Sequence, residues 1–180
     1  YRLPALDGST VFVIKPASYA TATGANGLPL FWHHVFPAGS PQLRYGGIAA
    51  TGAGELDFAL RKQPRTGGDL KMLVFGDPQP KSLTDVGYYE RDIVAPLVGK
   101  HDVRLGLSLG DIVNDDLSLY PAMNRVTSQL GVPWMHVPGN HDLDFDAARD
   151  EDALLSFRNV FGPDSYAWEE PQASFIVLDD

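Results

Sequence analysis

The sequence predicts an α/β fold, a mostly parallel sheet flanked by helices, preceded by a small all-β domain. Three observations carry this expectation. Near Leu70 the chain changes from turn-rich, β-branched runs to alternating apolar and amphipathic stretches. That alternation reads strand, helix, strand, helix, strand, the pattern of a parallel sheet with both faces covered. Finally, three of the apolar runs end alike, in glycine followed by aspartate or asparagine.

Residues 1–60 are rich in Gly, Pro, Ser and Thr. STVFVIKP (9–16) and ELDFAL (55–60) read as strands bounded by turn residues. The stretch between them lacks helical periodicity and is expected to be one long loop. His33 and His34, beside Trp32 and Phe36, read as part of that packed loop. Residues 61–69, RKQPRTGGD, are polar and broken by Pro and Gly, as a linker would be.

LKMLVFG (70–76) reads as a buried strand. In the following segment Leu83, Val86, Tyr89, Ile93 and Leu97 share one helical face, with Ser82 and Asp85 suited to its start. VRLGLSLG (103–110) is a second strand. Residues 121–130 form a helix with Met123, Val126 and Leu130 inward and Gly131 at its end. WMHVPG (134–139) is a third strand, 151–161 a third helix, and SYAWEE and SFIVLDD two further strands. The acidic run 143–152 reads as a solvated loop leading to a helix N-terminus, where negative charge is favourable.

Composition narrows the function. The 180 residues are 44% hydrophobic and 21% charged, as in an ordinary globular protein, and carry no cysteine. Thiolate metal sites and disulfide frameworks are thereby excluded. A formal charge of −9 argues against a general nucleic-acid surface, so any phosphate needs a local positive centre. No apolar run is long enough to span a bilayer. Tyr1 is not an initiator methionine, and the chain stops directly after an apolar strand, as a piece of a longer polypeptide would.

The three strand ends are Gly76-Asp77-Pro78-Gln79, Gly110-Asp111-Ile112-Val113-Asn114 and Gly139-Asn140-His141-Asp142. Asp77, Asp111 and Asn140 lie 34 and 29 residues apart, about one strand–helix repeat each. Parallel neighbours would bring all three to one carboxyl edge, where open α/β sheets build their sites. No G-x-S-x-G elbow indicates a serine nucleophile, and no Gly-rich loop with Lys and Ser/Thr cradles a nucleotide phosphate. Carboxylates, an amide carbonyl and an imidazole together suit divalent Mn, Fe or Zn. Such ions would also reverse the local sign of an acidic chain.

In this order and spacing, GDPQ, GDIVN and GNHD resemble the calcineurin-like metallophosphoesterase family, over residues 70–180. The resemblance implies an α+β sandwich-type core, of which these residues are the N-terminal portion. It also implies two divalent metal ions, the first bound by Asp77 and Gln79, the second by Asn140, with Asp111 bridging. His141 would sit by the leaving group or phosphoryl oxygens, oriented by Asp142, and Asn114 would brace the Asp111 loop. The implied reaction is hydrolysis of a phosphate mono- or diester by a metal-activated hydroxide, on a phosphorylated small molecule or lipid. Residues 1–60 are similar to the β-sandwich that precedes this domain in a bacterial subset, which suggests a periplasmic or secreted location.

Two departures stand against the pattern. Gln79 occupies a position where the family usually has histidine, a neutral and weaker ligand. The family's downstream Gly-His and Gly-His-x-His ligands have no counterpart; His33, His34, His101 and His136 have the wrong context, and His136 reads as a core residue. Asp179 and Asp180 receive no role. A catalytically inactive surface or binding protein on the same scaffold is the alternative reading.

Overall fold

The computed structural model describes residues 2–4, 6–52, 54–63 and 68–179. The middle of the expected linker, 64–67, and Asp180 lie outside the described residues.

The first half is built from β1 (Ser9–Phe12), β2 (Tyr19–Thr23), β3 (Pro29–Leu30), β4 (Trp32–Val35) and β5 (Leu60–Lys62). β1 pairs with β4, and β3-β2-β5 form a second sheet, every pairing antiparallel. The strand expected at 55–60 starts only at Leu60 and continues into Arg61 and Lys62, two residues assigned to the linker. Pairing decides this: Leu60 opposes Thr21 and Lys62 opposes Tyr19, so β2 sets the limits rather than the apolar run. His33 and His34 lie in β4, not in a loop. His34 accepts from the Thr10 hydroxyl at 2.8 Å through Nδ1 and donates from Nε2 to the Arg158 carbonyl at 2.9 Å. Burial lowers its pKa, so this neutral imidazole clasps the first half to the second.

The second half centres on β6 (Met72–Phe75), β7 (Leu105–Leu109) and β8 (Trp134–Val137), parallel and in the order β6-β7-β8. Around them lie α1 (Leu83–Tyr89), α2 (Tyr120–Thr127), α3 (Leu155–Phe161) and an antiparallel hairpin of β9 (Tyr166–Glu170) and β10 (Ala173–Val177). Ser82 caps α1, its hydroxyl accepting the Asp85 N–H at 3.3 Å. Pro121 opens α2, and Gly131 ends its last turn at φ 72°.

The expected inward face of the first helix needs correcting at two residues. After α1 the chain makes a π turn, Glu90–Val94, which inserts one extra residue into the helical register. Val94 is therefore fully buried while Ile93 is 46% exposed. Leu83, in the first turn, also faces outward.

Alternation along the strands splits the core into two layers. Leu73, Phe75 and Trp134 pack with Val86, Tyr89, Met123 and Val126 from α1 and α2. Met72, Leu105, Leu107 and Met135 pack with Phe31, Tyr166 and Trp168. Helices thus cover one face of the sheet, whereas β9 and the β3–β4 junction cover the other, where helices were expected. Gly106 makes the first layer possible, because a β-carbon there would lie 2.0 Å from the Trp134 ring. The Trp134 indole N–H then reaches the Ser108 hydroxyl at 2.9 Å. A second clasp joins the halves: the Lys15 carbonyl accepts the Glu169 N–H at 2.9 Å, and Lys15 Nζ pairs with Glu170 at 3.0 Å. Among the described residues, no helix is long and apolar enough to cross a membrane.

Candidate metal centre

The parallel register fixes where the three motifs go. Phe75 pairs with Ser108 and Leu109 with Val137, so the chain leaves β6, β7 and β8 side by side at one edge. Asp77 and Asp111 each follow two residues after a strand's last residue, and Asn140 follows three after Val137.

The turns beyond these ends are tight. Asp77, Gln79, Asp111 and Asp115 have φ of 46°, 41°, 48° and 65°, the only non-glycine residues with positive φ among those described. Left-handed backbone at residues other than glycine disfavours the fold by about 1 to 3 kcal/mol each unless neighbours over-determine it. Here they do. The Gln79 N–H donates to the Asp111 carbonyl at 3.0 Å, the Asn114 N–H to Pro80 at 3.1 Å, and the Asp115 N–H to His141 at 3.2 Å. Asn114 therefore ties the Asp111 loop to the Gln79 loop, and its side chain donates to Asp115 at 3.2 Å.

Asp111 stands at the middle of the group, 6% exposed. Its Oδ2 accepts from the Gln79 side-chain amide at 2.5 Å and its Oδ1 from the His141 backbone N–H at 3.0 Å. Gly139 has to be glycine, because a β-carbon would come within 2.2 Å of Asp111 Oδ1. Gly110, at φ 90°, passes its own missing β-carbon within 3.0 Å of Gly139.

Asp142 and His141 play separate parts, contrary to expectation. Asp142 is wholly buried and does not orient the imidazole. Its Oδ2 accepts the Gly139 and Ile112 N–H groups at 2.9 and 3.1 Å, and Tyr120 donates to Oδ1 at 3.0 Å. Burial pushes the Asp142 carboxyl up to about 6 and the Tyr120 phenol well above its ordinary value. The partner of His141 is Asp115, with Nδ1 and Oδ1 2.7 Å apart, and that hydrogen bond raises the imidazole pKa. Sequence reasoning missed Asp115. The available signal was a second acid four residues beyond Asp111, directly after the turn-forming Asn114.

The structure joins Gln79, Asp111 and His141 directly. Asp77 and Asn140 stand exposed at the same edge, their side chains without a hydrogen bond to that group or to any other described residue. Among the described residues, no three His, Asp or Glu side chains gather closely enough to hold a cation. The donors that are present still fit a hard or borderline divalent ion. They are oxygens of two carboxylates and two amides, and Asp111 is a buried carboxylate that no described lysine or arginine neutralises. Gln79 could meet a cation only through its carbonyl oxygen. Two further histidines are employed elsewhere: His101 bonds the Leu130 carbonyl at 3.1 Å, and the His136 ring lies tilted against Phe161.

No curated protein and no solved structure matches the chain significantly. Residues 70–179 match the family described as calcineurin-like phosphoesterase. That span takes in β6 to β10 with all three tip motifs, and by it the chain belongs to the calcineurin-like phosphoesterase family.

Proposed function

We propose that the chain hydrolyses a phosphate mono- or diester at two divalent cations, Mn, Fe or Zn. Asp77 and Gln79 would hold the first, Asn140 the second, and Asp111 both. The observation that carries the reading is the convergence of the Gln79 amide and the His141 backbone on the buried Asp111 carboxylate, at the shared edge of three parallel strands. When bound, the ions supply Lewis acidity toward the phosphoryl group and a nucleophile at neutral pH. The chain's own residues do the rest. Asp115 occupies Nδ1 of His141, which leaves Nε2 as the atom able to hold a proton and give it to the departing ester oxygen. Asp142 and Tyr120 hold the Gly139–His141 backbone in place from below.

One observation favours the alternative, an inactive binding protein on the same scaffold: only two carboxylates and no histidine stand among the four proposed ligands. Metal analysis of purified protein, followed by assays with p-nitrophenyl phosphate and its bis-ester, separates the two. Bound metal with cleavage of either ester that Asp111→Asn abolishes supports the phosphoesterase. Neither ester cleaved supports the binding protein, and failure to retain Mn, Fe or Zn defeats the metal-dependent phosphoesterase.

A further inference from the structure

The opposite end of the parallel sheet carries a second feature that the phosphoesterase reading does not use. Where β7 and β8 begin, the first half closes over the sheet and leaves a cavity of about 550 Å³. Its floor is apolar, made by Phe31, Leu105, Met135 and Trp168. Its rim is cationic: among the described residues, Lys15, Arg61, Lys62 and Arg104 line it against the single carboxylate of Glu170. Four of the chain's 14 lysines and arginines thus meet at one cavity of a protein with formal charge −9.

The charges are not equivalent. Lys15 is committed, paired with Glu170 and donating to the Tyr19 and Glu169 carbonyls at 3.2 and 2.6 Å. Arg61 and Lys62 stand exposed on β5 and make no ion pair with any described residue. Both residues line an apolar hollow of the size that takes a small organic ligand. Cations beside a low-dielectric wall attract an anion more strongly than the same cations on open surface. An apolar floor alone would take any greasy molecule, and a cationic rim alone any anion. The combination selects a molecule with both.

From this juxtaposition we infer that the cavity between β5 and the starts of β7 and β8 binds an amphipathic anion, an apolar or aromatic body carrying one anionic head group. The body lies on Phe31, Met135 and Trp168, and the head group meets Arg61 and Lys62. The site is separate from the strand tips, since Leu105 and Asp111 bracket the whole length of β7. It stands whether or not the protein cleaves a phosphate ester.

The test uses the full chain and 8-anilinonaphthalene-1-sulfonate, a planar aromatic sulfonate whose fluorescence reports burial. Saturable one-to-one binding is expected, weakened at least tenfold in Arg61→Glu/Lys62→Glu and in Met135→Glu, which sets a negative charge in the apolar floor. Thermal unfolding confirms that each variant is folded; the exposed pair on β5 serves as the decisive variant if the floor variant is not. Competition then identifies the head group. Displacement by dodecyl phosphate and not dodecanoate assigns a phosphate, and the reverse assigns a carboxylate. Binding that is non-saturable, indifferent to charge reversal, or equally well displaced by uncharged dodecanol overturns the inference.

Discussion

The imidazole of His141 leans on Asp115, 2.7 Å away, and not on Asp142, its neighbour in sequence. The difference is one of environment. Asp142 is buried and spends its oxygens on two backbone N–H groups and a phenol, so it shapes the turn. Asp115 is exposed, and its carboxylate takes the Nδ1 hydrogen bond that raises the His141 pKa.

Replacing Asp115 by Asn keeps the shape and removes the charge. The hydrogen bond to Asp115 raises the His141 pKa, so in Asp115→Asn that pKa falls toward or below the ordinary histidine value. Turnover of a phosphate ester should drop about tenfold to a hundredfold, the usual range for weakening a proton donor. The alkaline limb of the rate profile should move to lower pH. NMR titration of the His141 ring in both proteins is the check; identical titration would remove Asp115 from the mechanism.

Gly139 and Gly76 make a matched pair. A β-carbon at 139 would collide with Asp111, whereas one at 76 meets nothing within 4 Å. Gly139→Ala should therefore destabilise the fold by roughly 1 to 3 kcal/mol through overpacking and weaken metal binding at least tenfold. Gly76→Ala should leave both nearly unchanged. Denaturant unfolding and metal titration of the two variants decide it, and equal behaviour would mean the Asp111 pocket is not built as described.

How much of this was legible beforehand follows from what each feature depends on. The Gly-Asp and Gly-Asn strand ends are local, and the parallel order of their strands follows from the helices between them, so Asp77, Gln79, Asp111 and Asn140 could be placed at one edge from sequence. Asp115 could not, because its pairing with His141 depends on a left-handed turn that propensity disfavours for any residue but glycine, and tolerates only in part for Asp. The second cover of the sheet was equally hidden. An apolar strand such as β9 looks the same whether it joins the parallel sheet or packs across it, and only Trp168 and Tyr166 meeting Phe31 reveal which.

The π turn after α1 offers a direct measure of one such failure. Regular 3.6-residue spacing puts Ile93 inward, but the inserted residue hands that place to Val94. Val94→Ala should cost about 2 kcal/mol from lost burial and the cavity left behind. Ile93→Ala, at a site nearly half exposed, should stay within about 0.5 kcal/mol of wild type. Chemical denaturation of both variants reads the register, and the reverse order of effects would restore an unbroken α-helix.

Two buried groups set opposing pH dependences on stability. His136 is 4% exposed with both ring nitrogens unpartnered, and burial holds its pKa down to about 3. Below 6.5 the unfolded chain takes up a proton that the folded chain refuses, so this group's contribution is present above 6.5 and is lost as pH falls toward 3. The full span is roughly 4 to 5 kcal/mol. Asp142 works the other way. Its folded pKa is raised from 3.8 to about 6, so its contribution is present below 3.8 and is lost as pH rises through 6, over roughly 3 kcal/mol. Between about pH 4 and 6 the two slopes nearly cancel, and their joint contribution to stability is flat there. His136→Phe, which keeps a ring against Phe161, removes the first of these slopes, so relative to wild type stability should fall as pH rises through this window. Asp142→Asn removes the second, and relative to wild type stability should rise instead. Urea midpoints measured with chelator present from pH 4 to 6.5 give the two slopes, and slopes of the same sign would show that one of these groups is not buried as described.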